Sequence, residues 1–129
     1  MRRLVVAFAL FAGCARPDDR SIKVAVEQFV AAAERGDADR VVAMLGASTV
    51  DRLRARAREA SDLAGGGVTL GPTDVLAVGF EPARIRVARV DEGTRRDGEA
   101  TALVRGTDGT TVPLRLRLEA GRWRIVLEP

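Results

Sequence analysis

The chain has 129 residues, with 21 Lys and Arg against 18 Asp and Glu, and neither histidine nor tyrosine. That length suits one domain with a real core. The missing His and Tyr are the side chains that most readily titrate or donate protons near neutral pH, so ordinary acid–base catalysis is disfavoured.

Met1-Arg2-Arg3 leads into the apolar run Leu4–Phe11, then small Ala12 and Gly13, then the one cysteine, Cys14. A basic start, a short apolar run and small residues before a cut are the layout of an export signal. The run is shorter than the roughly 20 residues of a membrane-spanning helix. Phe11-Ala12-Gly13-Cys14 resembles the lipobox of bacterial lipoproteins, although Phe11 stands where Leu is usual. The resemblance implies acylation of Cys14 and a lipid-anchored protein of the bacterial cell envelope, with the membrane and leaflet open. The alternative is a cut after Ala15, giving a secreted or periplasmic protein. The predicted organisation is a signal over 1–13, a tether over 14–20 and one domain over 21–129.

Removing residues 1–13 from 129 leaves 116, and Arg2 and Arg3 leave with them, bringing 21 basic groups to 19 against 18 acidic. The pI near 10.3 therefore reflects arginine in a nearly balanced chain and not a basic binding surface. With one lysine, Lys23, and three aromatics in the mature chain, Phe29, Phe80 and Trp123, nucleic-acid binding has little support. A lipidated Cys14 would leave no thiol for disulfides.

Ile22, Val26, Phe29, Val30 and Ala33 form one apolar stripe and predict a helix from about Ile22 to Arg35. Gly36 is a natural stop, and Asp37 is placed to cap a second helix over Ala38–Leu45, with Gly46 the next stop. Ser48 and Asp51 make a capping-box-like start for a third helix with the stripe Val50, Leu53, Ala57 and Ala60. Gly65-Gly66-Gly67 ends it. The expectation is three helices, followed by a short segment around Val68–Leu70 and Val75–Val78.

From there the period becomes alternating, and Arg84–Val90, Ala100–Arg105, Thr110–Glu119 and Arg122–Glu128 read as antiparallel strands. Counting outward from the Ala120-Gly121 turn pairs Leu118 with Trp123, Leu116 with Ile125 and Leu114 with Leu127 on the core face. A three-residue Thr107-Asp108-Gly109 loop, with Gly109 at positive φ, brings Ala100, Ala102 and Val104 onto that face. A two-residue turn would shift the register by one and bury Arg105.

Helices first and a meander afterwards predict an α+β domain, with N-terminal helices packed on a curved antiparallel sheet. The run Phe29-Val30-Ala31-Ala32-Ala33-Glu34-Arg35-Gly36-Asp37-Ala38 resembles the helix–Gly-Asp–helix opening of the nuclear transport factor 2-like superfamily. Glu119-Ala120-Gly121-Arg122-Trp123-Arg124-Ile125 resembles its closing strand. The likeness spans Ile22 to Glu128 and is nearest to small bacterial lipoproteins of this type. It implies a cone-shaped α+β fold and says little of activity, since the superfamily hosts enzymes, binders and scaffolds.

Enzymes of that superfamily set a tyrosine or histidine beside an aspartate, and both are lacking here. A carboxylate pair could serve alone if burial split the two pKa values. Asp91, Glu92, Asp97 and Glu99 flank an expected exposed turn, however, while Asp74 and Glu81 are better placed but without an evident partner. Asp37-Ala38-Asp39 lacks the later ligands of a calcium loop and reads as helix-dipole partners. Gly65-Gly66-Gly67 lacks the Lys-Ser/Thr of a phosphate loop. Ser21, Ser48 and Ser61 sit in no nucleophile elbow. No catalytic, metal or cofactor site is implied.

Arg52, Arg54, Arg56 and Arg58 on the third helix read as a solvated face, with Arg56–Glu59 and Arg58–Asp62 as local pairs. The sharper reading is contact with anionic lipid headgroups. On the sheet, Arg117 falls opposite Arg124, a like-charge pair that needs a carboxylate or an anionic partner. The expected function is a non-catalytic envelope lipoprotein acting as a binding or assembly module, touching the membrane through Cys14, with Arg117 and Arg124 its candidate surface. The alternatives are a carrier of a small apolar ligand in the cone, and a carboxylate-only enzyme.

Overall fold

A computed structural model describes residues 19–79 and 86–128. Four helices come first: α1 (Asp19–Glu34), α2 (Ala38–Ala43), α3 (Ala47–Ala64) and α4 (Pro72–Gly79). Four strands follow: β1 (Val87–Arg96), β2 (Glu99–Gly106), β3 (Thr111–Glu119) and β4 (Arg122–Val126). The strands pair antiparallel in chain order. The fold class is α+β, with α1 packed on β1, β2 and β4.

Helix α1 begins at Asp19, inside the segment predicted as tether. Its buried stripe is Ile22, Val26, Phe29 and Ala32, with Ala33 and Val30 only half-buried. The stripe drifts to Ala32 because the chain doubles back over that side. Gly36 N–H bonds Ala33 O and Asp37 N–H bonds Ala32 O, both at 3.0 Å, the paired closure of a Schellman turn. Asp37 Oδ1 then accepts Arg40 N–H at 3.2 Å and starts α2, as the sequence predicts.

Helix α2 stops at Ala43, two residues short of the predicted Leu45, because the next three residues join the sheet. Ile125 N–H donates to Met44 O at 3.0 Å, and Gly46 N–H donates to Ile125 O at 2.8 Å. Leu45 thereby bridges Ile125 in parallel and covers the free edge of β4.

The expected Ser48–Asp51 capping box does not form. Helix α3 starts at Ala47, whose N–H lies 3.2 Å from both carboxylate oxygens of Glu119 at the end of β3. The carboxylate takes the place of a local cap and meets the positive end of the helix. On the α3 stripe only Ala57 is buried. Thr49, which the periodicity missed, is 2% exposed.

The Val68–Val78 segment contains the unexpected α4. Its start follows capping chemistry: Pro72 takes the first helical position, and Asp74 Oδ2 accepts Gly71 N–H at 2.7 Å.

Strand β1 runs on to Arg96, so Asp91 and Glu92 are strand residues and not turn residues. Arg84 lies outside the described residues. The ladder passes from Glu92↔Ala102 to Arg95↔Ala100, one extra residue on β1, a bulge at Gly93–Thr94. A Cβ on Gly93 would lie 2.8 Å from Thr101 O, so glycine permits the close approach.

The other hairpins follow the predicted count. Gly106 N–H bonds Thr110 O at 2.7 Å across Thr107-Asp108-Gly109, Gly109 has φ +85°, and Arg105 stays exposed. Ala100, Ala102 and Val104 pair with Leu116, Leu114 and Val112. Leu116 meets Ile125 and Leu118 meets Trp123. The β3–β4 ladder ends at Arg115↔Val126, so Leu127 lies beyond it, half-buried against the core like Leu114.

Ala100, Ala102, Val104, Leu116, Trp123 and Ile125 form the sheet side of one core with Ile22, Val26, Phe29, Val41 and Leu45. Trp123 is 7% exposed, with the Arg95 guanidinium 5.4 Å from its ring centroid. Replacing Trp123 with Ala should cost about 3–5 kcal/mol, read as a lowered urea midpoint. The wild-type emission should be that of a buried indole. Water-exposed emission with an unchanged midpoint in the variant would overturn this packing.

Candidate functional site

The alternation that buries Ala100, Leu116 and Ile125 turns the other side chains of the sheet outward. Arg117 and Arg124 meet across β3 and β4 on that face, as the sequence count predicts. Each side chain turns to its own acceptor. Arg117 Nη2 donates to Glu99 Oε1 on β2 at 3.2 Å. Arg124 Nη1 donates to Ala43 O at the C-terminal end of α2, where a cation also complements the helix dipole.

A second like-charge pair stands at the other side of the sheet, where Arg89 lies opposite Arg105. Asp91 sits between them. Its carboxylate is 2.8 Å from Arg89 Nε and 2.7 Å from Arg105 Nε. The hydrogen bond from Arg89, joined by that from Arg105, holds the Asp91 carboxyl below its ordinary 3.8. Ending β1 at Val90 hid this triad in the sequence reading. The signal was present, since Arg89 and Asp91 stand two apart and so share a strand face. Arg115 pairs with Glu128 on the same outer face.

Three of the carboxylates weighed for catalysis have structural partners. Asp74 starts α4, Asp91 holds two arginines, and Glu99 holds Arg117. Glu81 lies outside the described residues, as does Cys14. Asp37 caps α2. Among the described residues, no three His, Cys, Asp or Glu side chains converge in a way that could hold a metal ion.

One cleft among the described residues opens at the β1–β2 turn, with a volume of about 550 Å³. Arg96, Asp97, Gly98, Glu99, Arg117 and Leu118 line it. It is polar and contains Arg117 but not Arg124 or Asp74.

On α3 the predicted pairs Arg56–Glu59 and Arg58–Asp62 do not form among the described residues. Arg54 instead reaches Asp51 at 3.5 Å. Arg52 donates to Leu127 O and, at 3.4 Å, to Thr49 Oγ1.

Comparison with known protein families, with characterised proteins and with solved structures finds no match.

Two outcomes follow from the outer face. A carboxyl whose folded pKa is depressed stabilises the protein above its unfolded pKa and loses that effect as pH falls through the folded value. Wild type should therefore lose more stability than Asp91→Asn between about pH 5 and 2, measured as melting temperature against pH. Parallel acid limbs would show that the triad contributes nothing. The double change Arg117→Gln with Arg124→Gln should leave stability within about 0.5 kcal/mol of wild type, because each is an exposed contact. A loss above about 2 kcal/mol in chemical denaturation would instead make these residues part of what holds the sheet together.

Proposed function

We propose that this chain is a lipid-anchored protein of the bacterial cell envelope, whose domain acts as a non-catalytic binding or assembly module. The location rests on the Arg2-Arg3, Leu4–Phe11, Gly13-Cys14 layout. The non-catalytic reading is carried by one observation. Asp74, the better placed of the weighed carboxylates within the described residues, caps α4, and Asp91 and Glu99 are engaged in ion pairs. The chain also has no His or Tyr to work beside them.

The finer fold within the α+β class is proposed to be the nuclear transport factor 2-like cone. Its support is the order of helices before a four-stranded antiparallel meander, with α1 across the sheet. It is further supported by the Gly36-Asp37 corner between α1 and α2 and by the Ala120-Gly121 turn that leads into Trp123.

Acylation is the decisive test of location. Wild type expressed in a bacterium fed labelled palmitate should take up label and partition into detergent, and Cys14→Ala should stay unlabelled. Equal labelling of both, or of neither, would overturn the anchor.

A further inference from the structure

We infer that Asp97, in the turn between β1 and β2, is a site of spontaneous covalent modification, where the chain converts to isoaspartate through a succinimide. The other Asp-Gly step, at Asp108, is held against the same reaction.

An Asp-Gly step is open to this chemistry because glycine has no side chain to shield its amide nitrogen. The Gly98 nitrogen attacks Cγ of the protonated Asp97 carboxyl and an N–Cγ bond forms. The amide hydrogen leaves with the carboxyl hydroxyl as one water. Water then opens the five-membered ring. Breaking the N–Cγ bond returns aspartate. Breaking the bond from that nitrogen to the Asp97 main-chain carbonyl carbon leaves the chain running through Cβ and Cγ. Nothing is oxidised or reduced, and the mass is unchanged.

The two Asp-Gly steps both lie in hairpin connections, and the structure treats their reacting groups differently. The Asp97 side chain is 94% exposed and meets only Arg96 Nε, at 3.9 Å, among the described residues. Gly98 N–H donates no hydrogen bond among those residues. Asp97 also sits at φ +44°, in the left-handed region that crowds an L side chain. Ring closure needs the main chain to rotate out of this turn, and leaving the positive φ relieves that crowding.

At the second step both partners are engaged. Asp108 Oδ1 accepts Thr110 N–H at 2.9 Å, and Gly109 N–H donates to Gly106 O at 3.2 Å. The hydrogen bond from the Thr110 backbone also holds the Asp108 carboxyl below its ordinary value, which reduces the neutral acid that cyclises. Modification at Asp97 adds a methylene to the main chain in a turn whose Gly98 O accepts Leu118 N–H at 2.7 Å. Asp97, Gly98 and Leu118 line the cleft described above, so the change reaches its wall.

The test ages the purified, folded protein for weeks at neutral pH. Isoaspartate is then followed on the tryptic peptides carrying residues 97–105 and 106–115, which separate the two steps. It should build up several-fold faster on the first peptide than on the second. In urea the two rates should converge, because the hydrogen bonds that set them apart are gone. Asp97→Glu should abolish modification of the first peptide, since the larger ring closes far more slowly, and leave Asp108 as before. Equal rates in the folded protein, faster change at Asp108, or no change at Asp97 would each overturn the assignment. A difference that persists in urea would overturn it too, by placing the cause in the neighbouring residues and not in the turns.

Discussion

Beyond the core that α1 shares with the sheet, the helical and sheet layers are hydrogen-bonded to each other along one seam, and much of the architecture follows from it. Met44–Gly46 lies against β4 through two backbone hydrogen bonds to Ile125. Immediately beyond, Glu119 caps α3, and Thr49 Oγ1 accepts Leu127 N–H at 3.2 Å while Arg52 takes Leu127 O. The seam ends α2, starts α3, covers the edge of β4 and secures the C-terminal segment. It also explains why Thr49 is buried in a helix that is otherwise largely exposed. A buried hydroxyl needs a partner, and the β4 extension supplies one.

The outer face of the sheet shows how a basic surface is kept compatible with strand pairing. Two cross-strand arginine pairs would oppose the ladder if their guanidiniums faced each other. Asp91 is shared by one pair, and the other is drawn apart toward Glu99 and the end of α2. Such exposed contacts add little stability individually. Their effect is to remove a conflict that the core pattern imposes, since the count that pairs Leu116 with Ile125 also pairs Arg117 with Arg124.

What was legible in the sequence was what short-range rules govern. The β3–β4 register follows from counting out of a two-residue turn, and the Gly109 loop from keeping Arg105 out of the core. Asp37 capping α2 is local chemistry. The errors share a cause. Glu119 displaced the Ser48 cap from 72 residues away, and the β4 edge cut α2 short, neither of which a local window contains. Helix α4 is different, because Gly71-Pro72 with Asp74 was a readable start that the short apolar segment obscured. At the candidate surface, Arg117 facing Arg124 was readable, but the Asp91 triad needed the true end of β1.

The seam also has a consequence for the order in which the molecule can form. The chain is made from its N-terminus, yet the cap of α3 is residue 119, and the contacts that hold Thr49 and Arg52 come from residue 127. The helical half therefore emerges complete in sequence but without the partners that fix its ends. Contacts this distant form slowly, because a long loop must close before they contribute. Until residues 119–128 arrive, the nascent chain lacks the partners that complete the domain.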